Sequence, residues 1–122
     1  MNGKRNGKGK EYYNLKQLNR NLYYFCKFIY EGEYLNGEKN GKGKLYNYNS
    51  TKLKYEGEFL NGEKNGKGKE YKFYKLKFDG EFIKGKINGK GKEYYFNGNL
   101  KFEGEYLKEK NGMEMNLTMI IH

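Results

Sequence analysis

The chain has 122 residues and a formal net charge of +10, which fits one domain or one repeat array. It contains no Pro and no Trp, and its single cysteine, Cys26, excludes an internal disulfide and fits a reducing compartment. High charge with low hydropathy is typical of disorder, but aromatic residues make up 18% of this chain and recur at regular spacing. We therefore predict a folded array.

No apolar segment in the sequence is long enough to cross a bilayer. The residues MNGKRNGKGKEYYN at the N-terminus lack the apolar run of a secretory signal. The most apolar stretch, LYYFCKFIY at 22–30, is interrupted by Lys27 and is far shorter than the roughly 20 residues of a spanning helix. The expected location is cytoplasmic, including sites peripheral to membrane or cytoskeleton.

A repeated unit organises the chain, and it is anchored by Gly32, Gly57, Gly80 and Gly104. In chain order, residues 1–29 are predicted to be a partial first repeat, in which 2–11 match the second half of the unit and 12–29 form an insertion. The array at 30–112 follows, with its copies at 30–54, 55–77, 78–101 and, in decaying form, 102–112. The tail at 113–122 fits no repeat and is interpreted as a cap or as an artefact such as a shifted reading frame. The opening in mid-repeat suggests a fragment of a longer array.

Within each unit the residues alternate with a period of two, which predicts a β-hairpin. In LKYEGEF (53–59) the apolar residues and the glycine share one face, and the charged residues share the other. Asn61-Gly62 then supplies a turn, and GKGKEYKF (66–73) supplies a second strand. We predict an all-β fold, an elongated single-layer antiparallel meander of stacked β-hairpins with about eight strands.

The predicted register places Gly57 opposite Gly68, so that aromatic rings can fold over bare backbone. The other predicted pairs are Phe59–Gly66, Tyr55–Glu70, Glu58–Lys67 and Glu56–Lys69. Opposite charges that face each other across strands contribute roughly 0.2–1 kcal/mol each. Much of the Lys and Glu content therefore has a structural use.

One face of the predicted sheet carries the aromatic residues of every repeat. These candidate interaction residues are Tyr30, Tyr34, Tyr55, Phe59, Phe78, Phe82, Phe102 and Tyr106. In a single-layer sheet the rings can pack on one another as a thin core. They can also form a groove for a partner segment or a second copy, and the two arrangements can coexist.

Lysines recur at fixed positions and predict a lysine-rich edge. The candidate anionic-lipid residues are Lys39, Lys42, Lys64, Lys67, Lys69, Lys86, Lys90 and Lys92, together with Lys44. Clustered cations near anionic lipid contribute about 1 kcal/mol each. The other interpretation is a solvated surface that the facing glutamates half neutralise.

The sequence offers little chemistry for catalysis. The glycine-lysine string lacks the spacing and the hydroxyl of a P-loop. His122 is the only histidine, so Cys26 has no internal partner for a Cys/His dyad, and no metal-ligand spacing is present. No recognition helix or RNA-binding string is visible. We expect no enzyme, no cofactor, no metal, no small-molecule substrate and no nucleic-acid partner.

The motif aromatic-x-Gly-x-aromatic, then Gly, then Gly-x-Gly, resembles the MORN repeat (membrane occupation and recognition nexus) over residues 2–11 and 30–112. The resemblance implies an array of hairpins that associates with membranes, cytoskeleton or partner proteins, often beside lipid-kinase or methyltransferase domains, which this sequence does not encode. The aromatics after Gly-Lys-Gly, Tyr71/Phe73 and Tyr94/Phe96, come one place late. Parity places them on the charged face unless a bulge intervenes.

These observations predict a non-catalytic scaffold or protein-interaction module that binds a protein partner or associates with itself. The alternative is a phosphoinositide or anionic-membrane binding module that acts through the lysine-rich edge.

Overall fold

The fold is one open antiparallel sheet. The computed structural model describes residues 3–12, 28–47, 52–108 and, as backbone, 115–119. Its strands are β1 (Gly7–Tyr12), β2 (Phe28–Leu35), β3 (Glu38–Tyr46), β4 (Leu53–Leu60), β5 (Glu63–Lys72), β6 (Lys75–Ile83), β7 (Lys86–Tyr94), β8 (Leu100–Lys108) and β9 (Met115–Met119). All nine lie side by side in chain order. The predicted all-β meander is confirmed, with one strand more than expected.

The Asn-Gly turns form as predicted. Asn61 and Gly62 have φ angles of 51° and 85°, and two positive values in succession are those of a type I′ hairpin turn. The equivalent turns are Asn36-Gly37 and Lys84-Gly85. Each turn is also tied to the repeat before it, since the Gly62 amide donates to the Lys39 carbonyl at 2.9 Å. These bonds join successive hairpins at the side of the sheet where the turns lie.

The register is confirmed at the centre of the hairpin and differs beyond it. Gly57 lies opposite Gly68, and the predicted pairs Tyr55–Glu70 and Glu56–Lys69 are present. The predicted pair Phe59–Gly66 is wrong, because Phe59 lies opposite Lys64.

A bulge at Gly66 causes the difference in register. Gly66 has a φ angle of 95°, which favours glycine and lets β5 absorb extra residues. The Glu58 carboxylate occupies the space beside this glycine and accepts a hydrogen bond from the Lys67 amide at 3.0 Å. Glu58 therefore contacts Lys67 through the Lys67 backbone amide, and not as the directly opposite residue that was predicted. The residue opposite Lys67 is Glu81, on the next strand. The same bulge recurs at Gly41 and Gly89.

The core is built from rings that lie on glycine backbone. A Cβ atom on Gly68 would lie 2.5 Å from Cε1 and Cζ of Tyr55, and one on Gly57 would lie 2.5 Å from the Gly68 Cα. Real side chains do not approach so closely, so both positions require glycine. The predicted role of these glycines, to leave room for the rings, is confirmed.

Several predicted segments lie wholly or partly outside the described residues. The insertion at 12–29 is described only at Tyr12 and residues 28–29, and Cys26 and His122 fall outside. In the tail, the backbone of β9 pairs with β8 from Gly104↔Met119 to Lys108↔Met115.

We predict that Gly68→Ala destabilises the protein by about 1–3 kcal/mol or more, because the new methyl group overlaps the Tyr55 ring. Gly9→Ala is the matched control, since among the described atoms its Cβ would meet only the Tyr34 ring, at 3.3 Å, and a ring can shift by that margin. Urea unfolding of the two variants measures the difference. Equal losses would contradict the packing described here.

Candidate functional site

The eight predicted aromatic residues lie together on one face and form a continuous chain of ring contacts. We call this set the aromatic ladder: Tyr30, Tyr34, Tyr55, Phe59, Phe78, Phe82, Phe102 and Tyr106. Successive centroids are 5.2–5.5 Å apart and the ring planes cross at 81–90°. Edge-to-face pairs of this kind are each worth about 0.5–1.5 kcal/mol beyond their buried area.

The rings of the aromatic ladder are buried, with exposed fractions of 0–6%. Long polar side chains of the same face help to cover them. The Lys64 ammonium lies 5.0 Å from the Tyr55 ring centroid and 2.7 Å from the Glu70 carboxylate. Lys39 lies 5.1 Å from the Tyr30 ring centroid and forms an ion pair with Glu11. A partner on this face would meet lysines and glutamates before it met rings.

Burial shifts the acidity of the ladder tyrosines. It raises the pKa of Tyr30 to about 12, with a further contribution from the nearby Glu33 carboxylate. It likewise raises the pKa of Tyr34 to about 12, where the hydrogen bond donated to Glu11 adds to the effect. Burial also raises the pKa of Tyr55. These hydroxyls therefore stay neutral well above the pH at which an exposed tyrosine ionises.

The predicted lysine-rich edge divides between the two faces of the sheet. Lys39 and Lys64 belong to the aromatic face, where they engage glutamates and rings. In the third repeat Ile87, and not Lys86, holds the position of Lys64. Ile87 pairs with Phe82 as Lys64 pairs with Phe59, and Lys86 pairs with Ile83. An apolar residue that packs on the core therefore replaces the lysine at this position of the third repeat.

The remaining predicted lysines lie on the charged face and alternate with carboxylates. Two lysines on each of β1, β3, β5 and β7 face two carboxylates on each of β2, β4, β6 and β8. We call this set the charged ladder: Lys8, Lys10, Glu31, Glu33, Lys42, Lys44, Glu56, Glu58, Lys67, Lys69, Asp79, Glu81, Lys90, Lys92, Glu103 and Glu105. The positive charges of the eight lysines equal the negative charges of the eight carboxylates, so the charged ladder has no net charge.

A shallow depression lies over the first half of the charged ladder. Its lining combines glycine backbone at Gly9, Gly32, Gly43 and Gly57 with lysines and glutamates of β1 to β5. Cations and anions are interleaved there, so the depression does not present the single sign of charge that would select an anion or a cation.

The structure shows a third surface that the sequence reasoning did not single out as a site. The turn and loop that join β5 to β6 and β7 to β8 carry exposed aromatic rings, with lysine ammonium groups 4.5–5.7 Å from the ring centroids. We call this surface the turn edge: Phe73, Tyr74, Tyr95, Phe96, Lys52, Lys72, Lys75 and Lys101. The four rings are 53–65% exposed.

Bulges interrupt the strands just before these aromatics. The register shifts between Glu70 and Tyr71 and between Glu93 and Tyr94, so the bulge that the parity prediction made an exception for is present. The Tyr71 hydroxyl stays near the carboxylates of the charged face, and its pKa is raised first by burial. The signal that could have identified the surface was the absence of Asp and Glu from residues 71–77 and 94–101.

The part of the chain that the structure describes contains no group of three or more His, Cys, Asp or Glu placed to hold a metal ion. No helix within it has the length and apolar character needed to span a membrane.

We predict that the protein loses stability in alkali because its ladder tyrosines resist ionisation. The ordinary tyrosine pKa is 10.0 and that of Tyr30 is about 12, so the contribution is complete below pH 10 and is lost as the pH rises through 12. Tyr30→Phe should reduce the fall in unfolding free energy between about pH 9 and about pH 11.5. Denaturant unfolding of wild type and Tyr30→Phe at the two pH values measures the change in unfolding free energy.

The reciprocal variant is Phe78→Tyr, because Phe78 occupies the Tyr30 position of the third repeat. It should make the alkaline loss larger. If neither substitution changes the pH dependence, the ladder tyrosines do not control it.

Comparison with known proteins agrees with this architecture. The MORN repeat family profile matches residues 1–14, 30–52, 55–72 and 78–100, which is more than half of the chain. No curated protein matches the sequence significantly. MORN repeats are known as modules that interact with proteins and membranes, and they are generally non-enzymatic. The hairpins β2–β3, β4–β5 and β6–β7 each begin two or three residues before one matched segment and otherwise lie within it, and the chain belongs to the MORN repeat family.

Proposed function

We propose that the chain is a non-catalytic scaffold or protein-interaction module that contacts a protein partner through the turn edge. The observation that carries the proposal is the group of exposed rings at Phe73, Tyr74, Tyr95 and Phe96. Exposed apolar surface beside polar residues is typical of interaction sites, and aromatic residues often dominate their binding energy.

Backbone strain at the turn edge supports a role outside folding. Phe73 and Tyr74 have φ angles of 51° and 55°, values that suit Asn and Gly and cost other residues roughly 1–2 kcal/mol each. The equivalent turn at the other side of the sheet uses Asn61-Gly62. Aromatic side chains at a strained, exposed turn favour a function that stability alone does not explain.

The chemistry of the turn edge indicates the kind of protein partner. Lysines border the rings, and the Phe73 and Phe96 rings lie 6.5 Å apart and nearly perpendicular. A segment with apolar and acidic side chains would complement this surface, because apolar groups could cover the rings while carboxylates met the ammonium groups. The aromatic ladder would support the contact as the rigid core beneath.

The alternative proposal is a phosphoinositide or anionic-membrane module. The lysines of the charged ladder face an equal number of carboxylates, whereas residues 71–77 and 94–101 contain lysines and no Asp or Glu. Lysines beside exposed aromatics are also the chemistry of membrane-surface binding. The turn edge is therefore the better lysine cluster for this alternative.

We predict that Phe73→Asn combined with Tyr74→Gly stabilises the protein by about 1 kcal/mol, because it relieves backbone strain at both positions. Thermal or urea unfolding measures the gain. A loss of stability would show that the two rings contribute more to folding than the strain costs.

The same double variant tests the proposed function. The purified chain is immobilised and exposed to extract of its own cells, and the retained proteins are quantified. We expect specific proteins that the wild type retains and the double variant loses by at least about tenfold. Leu60→Asn is the control, because it removes an exposed apolar side chain near the opposite turns. Equal retention by wild type and double variant would contradict the proposal.

Vesicle flotation decides the alternative. Binding to phosphatidylserine and phosphoinositide vesicles should fall steeply between about 0.05 M and about 0.5 M salt if charge drives it. Lys72→Glu with Lys75→Glu tests the turn edge, and the triple change to Glu at Lys64, Lys67 and Lys69 tests the predicted lysine-rich edge. Absence of flotation at low salt would rule out the membrane alternative.

A further inference from the structure

Asparagine is followed by glycine at several places in the chain, and this dipeptide carries its own chemistry. The side-chain amide of the asparagine lies next to the backbone nitrogen of the following residue, and a glycine there has no side chain to hinder an attack. Such a reaction is intramolecular, so it needs no enzyme and no cofactor. The pairs in which both residues are described begin at Asn6, Asn36, Asn40, Asn61, Asn65, Asn88 and Asn97.

The pairs in the hairpin turns are held by hydrogen bonds between repeats. The Gly37 and Gly62 amides donate to the carbonyls of Arg5 and Lys39, which belong to the preceding repeat. A backbone nitrogen that attacks the asparagine side chain must leave its hydrogen-bond acceptor. At Asn61 this movement would break a bond that joins two hairpins, so the fold opposes the reaction at the turns.

The asparagines that precede the bulge glycines are held within the sheet. The Asn65 side-chain oxygen accepts a hydrogen bond from the Lys84 amide, at 3.1 Å, in the turn of the next hairpin. The asparagines that make this contact are Asn6, Asn40 and Asn65. Asn88 lies inside β7, where the following residue, Gly89, pairs with Tyr106 of β8. At these positions the contacts of the array restrain the side chain or the backbone.

The pair Asn97-Gly98 lies outside the strands, in the loop that joins β7 to β8. Asn97, Gly98 and Asn99 are all exposed. Apart from the chain neighbours of Gly98, no described atom lies within 4 Å of the position that a Cβ on this glycine would take. The Gly98 amide donates to the Tyr95 carbonyl at 2.9 Å, a bond within the loop. Opening that bond breaks no contact between repeats, so the Gly98 nitrogen is less restrained than those of the hairpin turns.

The same loop prepares the Asn97 side chain for attack. The side-chain carbonyl oxygen Oδ1 accepts a hydrogen bond from the Asn99 amide at 2.9 Å, so the side chain is turned towards its own backbone. When a nitrogen adds to the side-chain carbonyl carbon, negative charge develops on Oδ1. A donor that is already in place stabilises this charge. The loop therefore combines an activated side-chain amide with a weakly restrained backbone nitrogen.

We propose that Asn97 is a site of spontaneous deamidation. The Gly98 nitrogen forms a bond to the Asn97 side-chain carbonyl carbon, and its proton passes through water to Nδ2. The bond between that carbon and Nδ2 breaks, ammonia leaves, and a cyclic succinimide remains. Water then opens the ring at either carbonyl and gives aspartate or isoaspartate. The sum consumes water and releases ammonia, with no oxidation or reduction.

Deamidation places a carboxylate on the turn edge, and this consequence rests on the proposed function. Residues 94–101 contain no Asp or Glu, and the Lys75 ammonium lies 5.3 Å from the centroid of the Phe96 ring, which neighbours Asn97. A carboxylate next to Phe96 lowers the positive charge of this surface and repels an acidic partner. Isoaspartate also lengthens the loop backbone by a methylene group. Deamidation is therefore a change, not reversed by water, that weakens the proposed partner contact.

Peptide mapping of aged protein tests the site. The folded chain is kept in mildly alkaline buffer, and trypsin then releases Asn97 within residues 93–101 and Asn61 within residues 55–64, each with a single Asn-Gly pair. We expect aspartate and isoaspartate to accumulate at Asn97 at least about tenfold faster than at Asn61. In urea the two rates should become similar, because no fold then restrains either pair. Equal rates in the folded chain, or a difference that persists unchanged in urea, would overturn the proposal.

Two variants test the consequence for binding. Asn97→Asp carries the charge of the products, whereas Asn97→Ser keeps a short hydrogen-bond acceptor and has no amide to lose. Among the proteins that the turn edge retains from extract, Asn97→Asp should retain about fivefold less than wild type, and Asn97→Ser should retain as much. Equal retention by the two variants would contradict the consequence. If wild type retains no such protein, the proposed function fails and this consequence with it, while peptide mapping decides the modification by itself.

Discussion

The fold depends on aromatic rings that lie directly on glycine backbone. A single sheet has no second layer to cover its apolar face, so each repeat must build its core from its own strands. The Tyr55 ring does this by lying over Gly68, where even a methyl group would overlap it. Neighbouring repeats then meet ring to ring, as Tyr55 meets Phe82 at 5.3 Å. The same contact recurs where Tyr30 lies on Gly43 and Phe78 lies on Gly91, and all eight rings are buried.

The glycines that the rings require also weaken the strands that contain them. Glycine in a strand interior weakens it, because the residue loses more entropy on folding and contributes no side chain to packing. The structure offsets this weakness with hydrogen bonds that recur in the three hairpins β2–β3, β4–β5 and β6–β7. The Glu58 carboxylate accepts from the Lys67 amide, and the Gly62 amide donates to the Lys39 carbonyl of the preceding repeat. Repetition of one unit therefore repeats its stabilising bonds as well as its core.

The sequence predicted the parts of the structure that depend on period and failed where a bulge changes the count. Alternation by two gives Gly57↔Gly68 and Glu56↔Lys69, because these neighbouring pairs lie on one side of the bulge, where the register is regular. Alternation wrongly places Phe59 opposite Gly66. The bulge at Gly66, a glycine with a positive φ angle, adds two residues to one strand and leaves the alternation of the sequence unchanged. The Asn-Gly that would reveal such a bulge is also the signal of a turn, so the sequence alone does not distinguish the two uses.

The candidate sites were harder to predict for a related reason. The repeat spacing of the sequence identifies the residues of the aromatic ladder. It does not show how exposed each ring is, because that depends on which long side chains cover the ring, as Lys64 covers Tyr55. Lys64 and Lys67 are three residues apart, so alternation places these two lysines on opposite faces, although the predicted edge grouped them together. The turn edge was not predicted because its residues depart from the repeat. The sequence alone does not show that these departures lie together on one surface.

The distribution of charge supports the proposed role of the turn edge. The charged ladder balances lysines against carboxylates row by row, so that the net charge of +10 comes from residues outside it. Lys72 and Lys75 are among these residues, and they flank the strained turn at Phe73 and Tyr74. The turn edge therefore combines lysines that the charged ladder does not balance with exposed apolar rings. In the part of the chain that the structure describes, the rings and charges of the two faces are engaged with one another, whereas the rings of the turn edge are exposed.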